Sequence, residues 1–148
     1  MIAIGSDHGG YKLKEEIKKY LEELGIEYKD FGCYSEERTD YPIFVKNVAE
    51  AIQEKECDKG IILCTTGNGV SIAANKFKGI RCANCFNEEM AKLAKAHNDA
   101  NIIAMPAGFI DEREAIRMIR IWLGTEFMGG RHSERLQMIE EFENENMK

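Results

Sequence analysis

Cys64 closes the apolar run GIIL and opens CTTGNGVS, residues 64–71, where two threonines and two glycines precede the helix-like stretch IAANK. Glycines at 67 and 69 let the backbone turn sharply and aim its N–H groups inward, and the following helix adds its positive dipole end. Such a nest suits an anion: a phosphate, a carboxylate or the oxygen of an enediolate. A thiol at its edge is expected to give up its proton more readily than a free cysteine. The plainer alternative is a buried cysteine in a tight turn. A cysteine phosphatase would need arginine six positions on, where this chain has Val70. GNGVS lacks the Lys-Ser/Thr ending of a P-loop, GSDHGG is not a dinucleotide fingerprint, and residues 65–69 hold no second thiol. Acid–base work is left: a thiolate taking a proton from carbon beside a nest that steadies the oxyanion.

The 3 histidines are His8 in SDHGG, His97 in HND and His132 in GGRHSERL. Each is a candidate acid or base, with a surface or hydrogen-bonded structural histidine as the alternative. HND precedes a strand, so it must reach the cysteine through a helix or from another subunit. Arg131 and Arg135 share a helical face and, in an acidic chain, suit a dianionic phosphate; salt bridging to nearby glutamates is the competing reading. The 5 cysteines follow no disulfide or metal framework. CANC, residues 82–85, reads as strand, where positions three apart face opposite ways, so buried small residues are expected there and no metal or redox site.

These residues need a scaffold. IAIG, IEYKDFG, GIILC, GIRCANC and NIIAM read as five strands, with helical patterns between them. Leu13, Ile17, Leu21 and Leu24 form one stripe of the first helix, and Gly25 is its expected stop. Phe44, Val48 and Ile52 line the next helix, with Val45 and Ala49 beside them. This alternation predicts an α/β fold: one doubly wound, Rossmann-like three-layer α/β/α domain over residues 1–148, with a five-stranded parallel sheet and a C-terminal helix at about 131–146. Ligands of such sheets sit beyond the strands' carboxyl ends. With 148 residues, 44% hydrophobic and 31% charged, and a net charge of −6, nucleic-acid and membrane-surface partners are not expected. No apolar run approaches a membrane span and the N-terminus lacks the regions of a signal peptide, so a cytoplasmic location is expected.

GSDHGGYKLK, DYP, GIILCTTGNGVSIAANKFKGIR, HNDAN and GGRHSER, in this order and spacing over residues 2–139, resemble the ribose-5-phosphate isomerase B family, which also includes galactose-6-phosphate isomerase subunits. The resemblance implies interconversion of ribose 5-phosphate and ribulose 5-phosphate through a cis-enediolate, without metal or other cofactor. It implies that Cys64 is the base, that Thr66 hydrogen-bonds the thiol, and that N–H groups across Thr65, Thr66, Gly67, Asn68 and Gly69 hold the enediolate oxygens. His97 would open the furanose ring, Asp7, His8 and Asn98 would contact the substrate, and Arg131 and Arg135 would hold its phosphate. A homodimer, or a tetramer built from it, would complete each site by bringing HND and the C-terminal arginines to the partner's cysteine loop.

The sequence departs from that family twice. Thr65 stands where glycine is usual, which raises the question of a strained positive φ. Gly108 stands where a phosphate-side arginine is usual. An isomerase of a six-carbon phosphosugar (allose or galactose 6-phosphate) and a non-catalytic phosphosugar-binding protein are the alternatives.

Overall fold

The computed structural model describes residues 1–147. Five strands, β1 (Ile2–Ser6), β2 (Tyr28–Asp30), β3 (Lys59–Cys64), β4 (Cys82–Asn84) and β5 (Ile102–Pro106), alternate with α1 (Tyr11–Glu23), α2 (Tyr41–Gln53), α3 (Asn68–Ala74), α4 (Glu88–Ala96) and α5 (Glu112–Gly124). A last helix, α6, spans Arg131–Asn146. The strands form one parallel sheet in the order β2-β1-β3-β5-β4.

Alternation along the central strands explains the layers. Ile61 and Leu63 of β3 face one side, where Ile17 and Leu21 of α1, Ala91 and Ala94 of α4 and Met118, Ile119 and Trp122 of α5 close over them. Ile62 and Cys64 face the other, against Val45, Val48 and Ala49 of α2 and Val70 and Ala74 of α3. Both faces are covered, which is why β1, β3 and β5 are apolar throughout apart from Ser6 and Lys59 at strand ends. The expected three-layer α/β/α arrangement is the observed one.

Two details of α1 differ from its stripe. Leu24 is exposed, because the helix ends at Glu23 and the chain reverses through Gly25 at φ 69°. Lys14 is fully buried instead, its Nζ 2.6 Å from Asp30 Oδ2 at the end of β2 and 2.7 Å from the Cys33 carbonyl. Lys18 joins the same carboxylate at 2.9 Å. Burying an ammonium is tolerated when its donors are matched by acceptors in this way.

Helix α6 stands outside the two core layers. His132 is its one buried residue, and Met138, Ile139 and Phe142 are exposed. No helix among the described residues is long and apolar enough to cross a membrane.

Candidate active site

β3 delivers Cys64 to the carboxyl end of the sheet, directly across from Pro106, the last residue of β5. Gly67 then adopts φ 76° and caps the start of α3. That turn folds the Gly67 N–H back onto the Cys64 sulfur at 3.1 Å. Cys64 itself keeps 6% of its surface exposed, so only a narrow face of the sulfur can meet a substrate. Burial pushes the two CANC thiols up, Cys82 to about 12 and Cys85 to about 11. These two sit in opposite core layers, as their strand spacing requires.

The loop is arranged differently from the expectation in one respect. The Thr66 hydroxyl accepts the Asn68 N–H at 3.2 Å, and among the described residues no hydrogen bond joins it to Cys64. The backbone of Gly67 supplies the sulfur's donor instead. With the Gly67 and Asn68 N–H groups engaged, those of Thr65, Thr66 and Gly69 have no backbone acceptor among the described residues. Thr65 is not among the residues with positive φ, so its β-branched side chain imposes no backbone strain.

Asn84, the third residue of CANC, was not picked out as functional, yet it braces this loop. Its Nδ2 donates to the Thr66 carbonyl at 3.3 Å and to Asn68 Oδ1 at 2.9 Å. It is the last residue of β4, at the carboxyl end of the sheet, and that strand-end position is the sequence signal that could have singled it out. Thr66, Asn68, Asn84, Phe86, Pro106 and Phe109 line a cleft of about 460 Å³ beside the cysteine loop. Phe86 and Phe109 are exposed at its rim.

Asp7 and His8 follow β1 at the same end of the sheet. Asp7 is buried and caps a short 3-10 turn, its Oδ1 accepting the Gly9 N–H at 2.9 Å and the Gly10 N–H at 3.3 Å. His8 is exposed, with its Nδ1 accepting the Thr39 N–H at 3.1 Å while its own N–H donates to Thr39 Oγ1 at 3.2 Å. An Nδ1 that accepts a hydrogen bond leaves the ring's proton on Nε2, so neutral His8 presents a donor to the outside. Thr39 precedes DYP and was likewise not picked out.

His97 and Asn98 lie at the other pole. They precede Ile102, the first residue of β5, and the rise of ~3.3 Å per residue separates them from the Cys64 end by on the order of 13 Å along the strand. His97 ends α4, its N–H on the Leu93 carbonyl at 2.9 Å. Arg81 fixes the turn that follows, with Nε on the Asp99 carbonyl at 2.9 Å and an ion pair to its carboxylate at 3.5 Å. The Met128 N–H on the Ala96 carbonyl at 2.9 Å brings the start of α6 alongside. There His132 stacks on His97, with ring centroids 4.3 Å apart and planes 12° from parallel. Arg131 and Arg135 are exposed on α6 and make no ion pair among the described residues, so the competing salt-bridge reading has no support. One chain therefore carries two sets of reactive groups, a thiol with its amide nest at one end of the sheet and a histidine pair with two free guanidiniums at the other. A cavity of about 550 Å³ lies by the second set, under the Leu136, Ile139 and Phe142 face of α6.

Comparison with known proteins agrees with this architecture. A family model described as Ribose/Galactose Isomerase matches residues 2–139. The chain is 45% identical over 138 residues to ribose-5-phosphate isomerase B of Escherichia coli, covering 93% of each protein. The structure of Clostridium thermocellum ribose-5-phosphate isomerase B superposes with a TM-score of 0.96 at 49% identity, covering 97% of both chains. That of the Mycoplasma genitalium enzyme with bound ribulose 5-phosphate gives 0.93 at 37% identity, covering 98% of this chain and 97% of the other.

Proposed function

The chain belongs to the ribose/galactose isomerase family, and from that premise we propose that it interconverts ribose 5-phosphate and ribulose 5-phosphate by a proton shuttle on Cys64. The observation that carries the reading is the sulfur at a strand end with a backbone N–H directed at it from 3.1 Å, beside N–H groups that have no backbone acceptor among the described residues.

The chemistry runs as follows. The closed furanose opens when His97 protonates the ring oxygen as the anomeric hydroxyl loses its proton. The Cys64 thiolate then removes the proton from C2 of the aldehyde, and the electron pair left behind forms the C1–C2 double bond of a cis-enediolate. The amides of Thr65, Thr66 and Gly69, unpaired with backbone acceptors among the described residues, are the donors available to the two oxygens. Return of the proton from sulfur to C1, with the hydroxyl hydrogen passing from O2 to O1, yields the ketose. No electrons leave the substrate, so no redox cofactor enters the balance. The Gly67 N–H supports the negative sulfur in the role expected of the Thr66 hydroxyl.

Arg131 and Arg135 hold the dianionic phosphate, and Asp7, His8 and Asn98 orient the sugar. The strand's length between Cys64 and His97 supports a site completed by a second copy. Exposed apolar side chains stand at both poles, Ile72, Phe86 and Phe109 near the thiol and Met138, Ile139 and Phe142 on α6, as a two-fold interface between them requires. In this reading the single domain places its C-terminal helix on its partner.

The six-carbon alternative rested on space at Gly108. That space is taken: a Cβ at 108 would stand 2.7 Å from Thr65 Cγ2. This favours the pentose phosphate. A panel of phosphorylated aldoses decides the matter, with ribose 5-phosphate expected to be turned over fastest. Preference for allose or galactose 6-phosphate would overturn the substrate, and no turnover of any would leave a binding protein.

A further inference from the structure

His132 has no role in the mechanism above, yet it is the one residue of α6 that is buried. Among the described residues its side chain makes no hydrogen bond, and its ring lies flat against His97 at 4.3 Å between centroids. Its ring nitrogens are not among the fully buried unpartnered polar atoms, so it is the apolar faces of the ring that are covered while an edge keeps contact with water. One of those faces lies on the ring proposed to open the sugar.

Resting on the isomerase reading, we propose that His132 is a positioning residue: its face-to-face stack fixes the plane in which His97 meets the furanose oxygen. The surroundings suit a neutral ring in that place. The charged groups that face His132 are His97 at the end of α4 and Arg131 and Arg135 on its own helix. Burial and then these three neighbours hold the His132 imidazolium below its ordinary range. Two imidazolium rings stacked at 4.3 Å would repel, which disfavours a positive charge on His132 beside His97. His132 thus offers His97 a flat neutral surface that does not compete for the proton destined for the sugar.

The geometry of the approach explains why such a wall is useful. His97 hangs from the last turn of α4, and the residue two positions on, Asp99, has φ 44°, so the chain turns away at once. Its ring is gripped by no hydrogen bond among the described residues, and the stack on His132 is the aromatic contact recorded for it. General acid catalysis needs the donor within hydrogen-bond reach of the atom it protonates.

The test compares the wild type with His132→Ala, which removes the wall, and His132→Phe, which keeps a flat ring that cannot titrate. For ribose 5-phosphate, His132→Ala should lower kcat by roughly 10- to 100-fold while KM changes little, as for a misplaced catalytic group. His132→Phe should recover most of kcat and keep the wild-type pH profile. Nitrogen-detected NMR of the His97 ring in the intact protein supplies a second readout, independent of turnover. Its shifts should move in His132→Ala and stay near wild type in His132→Phe. Equal behaviour of the two variants, in kcat or in the His97 signals, overturns the stacking role. Should the wild type fail to turn over any phosphosugar, the isomerase reading falls, and the NMR comparison still judges the wall.

Discussion

Thr65 and Gly108 are fitted to each other. The Gly108 N–H donates to the Thr65 carbonyl at 2.9 Å, and a Cβ on residue 108 would come within 2.7 Å of Thr65 Cγ2 and 3.1 Å of Thr65 O. The threonine methyl and the missing side chain occupy one volume, so the two departures from the family pattern are a single local arrangement. Gly108→Ala should destabilise the protein by about 1 to 3 kcal/mol through overpacking. Adding Thr65→Gly should recover part of that loss, because the methyl clash goes and the carbonyl contact stays. Thermal unfolding of the two single variants and the double variant measures the coupling.

The sulfur makes a sharper prediction. Cys64→Ala should reduce isomerisation by about 10² to 10⁴, the range for loss of a general base. Calorimetric titration with an unreactive phosphosugar analogue should show near-wild-type affinity, since the amides and arginines are untouched. An active Cys64→Ala protein would remove the thiolate from the mechanism.

The distance between the two poles of the sheet predicts complementation. Cys64→Ala and His97→Gln proteins should each be inactive alone. Mixed, unfolded and refolded together in equal amounts, they should regain about a quarter of the wild-type activity, because half the two-fold pairs are mixed and each of those has one intact site. Continued inactivity of the mixture would mean that each site is built within one chain.

Acid stability should depend on Asp30. Burial pushes its carboxyl up, but hydrogen bonds from Lys14, Lys18 and the Gly32 N–H outweigh that and hold it below the usual carboxylate range. A lowered folded value stabilises the protein above the unfolded value of about 4, and this contribution fades as pH falls through the folded one. Asp30→Asn should therefore flatten the acid side of the stability curve. Lys14→Met should cost about 3 kcal/mol, the low end for breaking a buried pair, because Lys18 remains 2.9 Å from the same carboxylate. Urea titrations between pH 3 and 7 report both effects.

The sheet, its helices and the placement of Cys64, His97, Arg131 and Arg135 were legible because each depends on period, turn residues or charge along a local stretch. Lys14 was not. Its position belongs to the apolar side of α1, but nothing nearby in the chain announces Asp30, which reaches it only after β2 pairs with β1. Asn84 and Thr39 escaped notice for a similar reason: both act on loops distant in sequence, through contacts made by the fold. Thr66 and Gly67 exchanged expected roles, since either could serve the sulfur on paper and only the turn at Gly67 decides which N–H points at it. The His97–His132 stack joins two motifs that the linear chain keeps 35 positions apart.

The length of β5 between thiol and imidazole also has a consequence for the rate law. If neither half of the chemistry suffices alone, turnover per chain is constant in concentrated solution and falls in proportion to concentration once pairs separate. At extreme dilution the observed velocity becomes second order in polypeptide, although every molecule keeps its native circular dichroism.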